Sequence, residues 1–439
     1  MSSGDDYLFG RRTTLAVFSM FCLMMLLDFA DRMIVAALLP SIKAEWGISD
    51  SQAGLLASAL FVGMVVFAIP AALAIDRWSR VRTAALMGGF WSLASGAGAF
   101  AQSLSQLAIT RAAVGVGEAG YAPAATAWIV AAFPKRRRQL AIGTFSAGQP
   151  IGMAVGVALG GYIAAHYGWR HALGIVALPG ILLALLLYRA RDYQNTILTA
   201  PSGVQAGVRE SLGTIFGIST LRYLFLNSAM VVMQFATILY FLPTYLTRIH
   251  ALPLDVASYM TSSAVLVGAV GSPLGGWIMD AWSIRRPDAK VVFALLMAIS
   301  STILCGLAFG VANAVGLQYG LILIALFALS AGTSGPLAMT QELVHPGIRA
   351  LSMTCNALAA HLLGSVPGPV LTGVISDRAN LTVAMLSVTV AGGLMAIFAL
   401  GCARRHYLED LARVAQVEPE VESSPRGSTD RHSGDRRVA

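Results

Sequence analysis

Five ionisable side chains stand inside two long apolar stretches of this 439-residue chain: Asp28, Asp31 and Arg32 in FCLMMLLDFADRMIVAALL, and Arg111 and Glu118 in LAITRAAVGVGEAGY. A charge at the middle of a bilayer costs about 2.5–3.5 kcal/mol on insertion scales, so five of them in two segments need a task. On a helix, Asp28 and Arg32 are four apart and face one side at ion-pair spacing, and Asp31 shares much of that face. Arg111 and Glu118 are two turns and about 10.5 Å apart along a helix, too far to pair with each other. Their partners are expected on another helix, with the Asp31 side of the first segment as the neighbour. Desolvation favours the protonated form of a carboxylate, and a nearby guanidinium favours the ionised form. A carboxylate held between the two influences can load and release a proton. Glu118, with Asp31, is the expected proton-coupling pair. Arg111, Arg32 and Asp28 form a charge network in which a guanidinium fork could hold a phosphate or carboxylate. The competing reading is a permanently satisfied ion cluster that only fixes helix packing.

The elements that must position these groups follow from composition. The chain is 56% hydrophobic and 12% charged, with a mean hydropathy of +0.70. That charged share is about half the usual one for a soluble domain, which excludes a water-soluble globular protein. Apolar stretches at 14–40, 52–75, 83–103, 105–133, 139–164, 170–189, 220–247, 256–280, 290–311, 316–344, 350–376 and 380–402 predict twelve transmembrane helices. An all-α membrane protein follows, because helices satisfy their own backbone groups in lipid. The predicted organisation is a cytoplasmic N-terminus over 1–12, a six-helix bundle over 13–190, a linker over 191–218, a second six-helix bundle over 219–405, and a largely disordered tail over 406–439. No removable signal peptide is read at the start.

The net charge of +8 records topology rather than a nucleic-acid partner. If the N-terminus and every second loop share one face, that face carries 24 of the 30 basic residues. The positive-inside rule then makes both termini cytoplasmic, and the expected location is the cell (inner) membrane. Cys22, Cys305, Cys355 and Cys402 have no short spacing, no metal site is legible, and no cofactor is expected beyond protons as the coupling ion. Gly115-Val-Gly117-Glu-Ala-Gly120 fits a dinucleotide fingerprint in letters only, since no strand precedes it. Gly148, Gly152, Gly156 and Gly160, at four-residue spacing, predict close helix packing.

The two halves repeat. Asp76-Arg77-Trp78-Ser79-Arg80-Val81-Arg82 and Asp280-Ala281-Trp282-Ser283-Ile284-Arg285-Arg286 share Asp, Trp, Ser and the last Arg at an offset of 204. Pro40 and Pro243 recur at 203, and Pro134 and Pro346 at 212. Gly152, Gly156 and Gly161 return as Gly364, Gly368 and Gly373, again at 212. Two six-helix halves related by an axis along the membrane normal are a transporter architecture. The charges do not repeat, because the equivalents of Asp31, Arg111 and Glu118 are Gln234, Leu323 and Ser330. That asymmetry favours coupling and substrate recognition over structural support. In the second half Gln234, Tyr240, Tyr245, Asn356 and His361 are the polar residues expected at the cavity, with Tyr121 and Gln149 on the first-half side. His361 is the repeat partner of Gln149.

The loop Gly276-x-x-x-Asp280-x-x-Ser283-x-Arg285-Arg286 resembles the signature of the major facilitator superfamily, while the first copy departs from it with Ala72 and Ser79 in place of glycines. The resemblance implies the major facilitator fold. It also implies gating loops in which Asp76, Arg80, Arg82, Asp280, Arg285 and Arg286 latch the cytoplasmic helix ends. Within the superfamily, Asp28-Phe-Ala-Asp31-Arg32, the Arg111-to-Tyr121 stretch, Tyr240-Phe-Leu-Pro243-Thr-Tyr245 and PIGMAVGVALGGYIAAHYGWR resemble the bacterial branch of the Spinster family, whose eukaryotic relatives export lysophospholipids. The chain is also similar to the anion:cation symporters of sugar acids. The implied function is a proton-coupled secondary transporter of an amphipathic anion such as a lysophospholipid, working by alternating access as a monomer in the bilayer. Symport of small organic anions and efflux of drugs or amphiphiles are the alternatives, and no enzyme activity is expected.

Overall fold

The computed structural model describes residues 7–77, 79–190, 208–286 and 288–417, with helices as the regular structure throughout. The first half contains α1 (Arg11–Trp46), α2 (Asp50–Arg77), α3 (Arg80–Gly98), α4 (Leu104–Glu118), α5 (Tyr121–Ala132), α6 (Arg138–Tyr167) and α7 (Trp169–Tyr188). A short α8 (Val208–Gly217) leads into the second half. That half contains α9 (Ser219–Ile249), α10 (Leu254–Ser283), α11 (Ala289–Gly310), α12 (Val315–Ala331), α13 (Ser334–Glu342), α14 (Arg349–Ala360), α15 (Pro367–Arg378) and α16 (Leu381–Val417). Most of the expected linker, 191–207, and the end of the tail lie outside the described residues.

Boundaries follow local chemistry. Gly47, at φ +62°, ends α1 in the left-handed conformation that a glycine adopts without a Cβ clash. Ser79 and Ser103 accept the Arg82 and Gln106 backbone N–H groups and so cap α3 and α4. Three spans are broken in mid-course. The fourth is interrupted just after Glu118, the tenth just after Ala331, and the eleventh by a π-helical turn over His361–Ser365. The first two breaks are repeat equivalents.

Among the described residues, ten segments are long and apolar enough to cross a membrane by length and composition. The expected count of twelve fits the fold once α3 and the α4–α5 pair are included. Both are less apolar than the rest: α3 opens on Arg80 and Arg82, and α4 carries Arg111 and Glu118 before it breaks.

The repeat extends to the contacts. A Cβ at Gly152 would meet the Leu26 carbonyl and one at Gly156 would meet Ala30, while Gly364 meets Ala229 and Gly368 meets Met233. The partners on α1 and α9 are therefore related by 203 residues, the offset of Pro40 and Pro243. Gly148 and Gly160 continue the same line along α1, so the four-residue glycine spacing is close packing within the first half. The halves join along two equivalent seams, α2 on α15 and α6 on α10. There Gly161 lies against Ser258 of α10, and Gly373 against the Asp50 carbonyl and Ser51 of α2. At Gly156 a Cβ would stand 2.6 Å from Ala30 Cα, and backbone cannot swing aside as a side chain can. Gly156→Leu is expected to lower stability by 3 kcal/mol or more, at or above the about 1–3 kcal/mol typical of overpacking, read as a lower unfolding midpoint and aggregation on size-exclusion chromatography.

Candidate functional site: a charge cluster behind a central cavity

Between the halves lies a cavity of about 530 Å³, within the range of small-molecule sites. Its first-half wall includes Phe29, Arg32, Phe61 and Gln149. The second-half wall is mainly apolar, with Phe235, Leu239, Val265 and Leu326, and carries polar groups at Tyr240, Ser272, Ser330, His361 and Ser365. Arg32 is the charged residue of this lining, its side chain 12% exposed.

The other four ionisable groups are buried behind it. Arg32 Nη2 donates to Asp28 Oδ1 and Oδ2 at 3.2 and 3.1 Å, and Arg32 Nε stands 2.8 Å from Glu118 Oε2. That second contact is an ion pair without good hydrogen-bond alignment, since Arg32 Nε and both Glu118 oxygens make no hydrogen bond. Arg111 spans the other end of the cluster, donating to Asp31 Oδ2 at 3.2 Å and to the Asp31 carbonyl at 2.8 Å. Asp31 also accepts from Ser95 of α3. Arg111 thus meets Asp31, as the spacing predicts, whereas Glu118 reaches past it to Arg32. Three carboxylates face two guanidiniums. With every group ionised the buried cluster carries one uncompensated negative charge, and a single proton cancels it.

Aromatic and polar side chains surround Arg32 at the cavity. The guanidinium lies over the Phe29 ring at 4.3 Å, and Tyr240 donates to the Arg32 carbonyl at 3.3 Å. His361 stacks on Phe61 across the seam, with ring centroids 5.4 Å apart, and its Nδ1 hydrogen-bonds Ser365 Oγ at 3.1 Å. The π turn that presents His361 and Ser365 is a distortion frequent at functional sites.

Four of the residues expected at the cavity lie elsewhere. Tyr121 is fully buried among Phe21, Trp91 and Phe145 and donates to the Phe21 carbonyl at 2.5 Å, because the break after Glu118 turns it into the first-half core. Gln234 faces α16 at Gly392, since the α9 face that equals the Asp31 face packs on a helix there. Tyr245 accepts from Gln318 at 2.9 Å near the far end of α9. Asn356, half-buried on α14, lies outside the cavity lining. Of the gating residues, Arg82 holds its guanidinium 5.9 Å from the Tyr188 ring centroid, and Arg80 opens α3. Asp280, Arg285 and Arg286 are exposed and form no ion pair among the described residues. The side chain of Asp76 lies outside the described residues.

Sequence reasoning missed a second charged site, at the face opposite the one where α1 begins. Asp50, at the start of α2, is buried and accepts from Lys43 at 2.5 Å, from Arg248 Nη1 and Nη2 of α9 at 2.7 and 2.8 Å, and from Ser376 of α15 at 2.6 Å. Asp377 returns the contact by accepting the Asp50 and Ser51 N–H groups at 2.7 and 2.9 Å. Farther in, Ser58 donates to the Val366 carbonyl at 2.7 Å and Ser262 to the Ala154 carbonyl at 2.8 Å. These bonds stitch the halves together at and beyond the level of Arg32. The signal in the sequence was faint: Lys43 and Arg248 are two of the few basic residues of the sparse face.

Two pseudo-symmetric helical halves enclosing a cavity with a buried charge cluster define a transporter of the membrane. The chain belongs to the Major Facilitator Superfamily, whose family model matches residues 21–354 and 224–426. It is 26% identical to the hexuronate transporter of Bacillus subtilis over 85% of this chain and 90% of that protein. It is also 28% identical to Protein spinster homolog 3 of Danio rerio over 84% and 77% of the two chains. Among solved structures, a bacterial homologue of the human lysosomal transporter Spinster, inward-facing and unoccupied, superposes with a TM-score of 0.78 at 23% identity, covering 91% of this chain and 99% of that one. The hexuronate transporter and the lysosomal Spinster are named as transporters, and the chain is similar both to Spinster proteins and to a hexuronate transporter.

Proposed function

We propose that the protein is a proton-coupled secondary transporter of an amphipathic anion, with a lysophospholipid as the model substrate, working by alternating access. The observation that carries this reading is the charge imbalance behind Arg32: a cluster one proton short of neutrality, with the cavity-facing guanidinium as its outlet. A proton on Glu118 weakens its hold on Arg32 Nε and leaves the guanidinium free to take an anionic head group from the cavity. The mainly apolar second-half wall then suits an alkyl chain. Positive-inside placement puts the α1 start and both termini in the cytoplasm, in an inner membrane. The stitched face is then external, and the state resembles an inward-facing one. Both seams and the cavity lie within one chain, so a monomer suffices.

Symport of small carboxylates is the second reading, favoured by the likeness to a hexuronate transporter. The test is flux of a labelled lysophospholipid and of a labelled hexuronate into proteoliposomes, with and without an imposed pH gradient. Gradient-dependent lysophospholipid flux is the expected result. Gradient-dependent flux of the hexuronate alone would move the substrate to the second reading with the same cluster at work, and gradient-independent flux of either would overturn proton coupling.

A further inference from the structure

A second large cavity shares no lining residue with the central one among the described residues. It is a groove of about 740 Å³ on the outer surface of the first half, floored by α3 and flanked by α2 and α4 on one side and α7 on the other. Phe67, Leu86, Phe90, Val116 and Leu185 give its character, and among the described residues the hydroxyl of Tyr188 is its one side-chain polar group. The lining begins about one turn from the start of α3, at the face where α1 also begins.

The groove has a charged end. Arg82, Leu86, Phe90 and Leu93 are spaced i, i+4, i+8 and i+11, so one stripe of α3 runs from a cation into the groove floor. The exposed Arg82 guanidinium is 5.9 Å from the centroid of the Tyr188 ring, which closes that end of the groove, and exposed Arg189 follows directly. A tyrosine at the end of a lipid-facing helix marks the level of the lipid head groups. An apolar trough of this size, open to acyl chains, ending beside the Arg82 guanidinium at head-group level and followed in sequence by a second arginine, is complementary to one class of molecule. The guanidinium fork matches a phosphate, and the trough matches the chain attached to it.

We infer that this groove binds an anionic glycerophospholipid of the surrounding leaflet, with an acyl chain along α3 and the phosphate on Arg82 and Arg189. The lipid is a resident ligand of the outer surface, separate from any cargo in the central cavity.

The experiment is thermal unfolding of the full chain in detergent, titrated with phosphatidylglycerol, with phosphatidylcholine of the same chains, and with glycerol 3-phosphate. Phosphatidylglycerol is expected to raise the midpoint saturably, at about tenfold lower concentration than phosphatidylcholine, and glycerol 3-phosphate to leave it unchanged. In the Arg82→Gln, Arg189→Gln double variant, whose altered side chains are exposed, the preference for phosphatidylglycerol is expected to vanish. Gly89→Leu tests the trough, since a Cβ there meets only Ala184 Cβ at an ordinary 3.5 Å and the longer chain fills the floor. It is expected to weaken the response to both lipids. Equal half-saturation by the two lipids in the native chain, or an unchanged preference in the double-arginine variant, would overturn the proposal. An equal response to glycerol 3-phosphate would reduce the site to a surface anion site and overturn it as well.

Discussion

Glu118→Gln is expected to reduce gradient-driven uptake in proteoliposomes by about 10²-fold or more, the scale of removing a proton-transferring group, while counterflow exchange of substrate without a gradient persists. Glutamine has the shape of a protonated glutamate and cannot release the proton. The cluster is then permanently neutral, with Asp28 and Asp31 against Arg32 and Arg111, and Arg32 is permanently available to the cavity. Binding and the movement between states survive, and only the link to the gradient is cut. A cluster that merely held helices together would give another result: the variant would fold less well or not at all, and its residual uptake would still follow the gradient. Arg32→Gln separates the roles from the other side. It removes the anion's partner and leaves Asp28 and Glu118 buried without their guanidinium, a loss of about 3–5 kcal/mol of stability for a broken buried pair. Exchange should fail in that variant as well as uptake.

The second large effect belongs to the site that pattern reading missed. Asp50→Asn keeps the size of the side chain and removes the charge on which Lys43, Arg248 and Ser376 converge. Hydrogen bonds to charged groups contribute about 1.5–3 kcal/mol each. Part of that is recovered by water when the face opens, so a net shift of about 2 kcal/mol is expected, some 30-fold in the ratio of open to closed at that face. Spin labels at exposed Ala44 and Ala379, on opposite halves, should report a longer distance population that is minor in the native chain. Arg248→Gln should reproduce it, and the double variant should add little, because both substitutions break one interaction. An unchanged distance distribution in Asp50→Asn would show that the glycine seams alone hold the face shut.

The two predictions differ in how far the sequence leads to them. Asp28 with Arg32 could be read from a spacing of four on one helix, and the hydrophobic runs demanded an explanation for every charge within them. Asp50 with Arg248 is a contact across 198 residues, between helix ends that are polar in any membrane protein and so raise no question. Tyr121 and Gln234 fail for a related reason. Each was assigned to the cavity from its residue type and repeat position, but a break after Glu118 and the packing of α9 on α16 turned the faces on which they sit.

The amino-acid sequence by itself determined the helices, their order, the face that collects the cations, the glycine positions at which helices can touch, and the list of charges that need partners. All of these rest on local chemistry: lipid compels a helix to satisfy its own backbone, and a run of apolar residues long enough to cross admits no other structure. Only the tertiary structure decided which carboxylate meets which guanidinium, which face of each helix borders the cavity, and where the halves are latched. Those outcomes depend on rotations of helices about their own axes and on sub-ångström packing along the seams. A difference of one hundred degrees, a single residue step, moves a side chain from the cavity to the core without altering the pattern from which the helix was read.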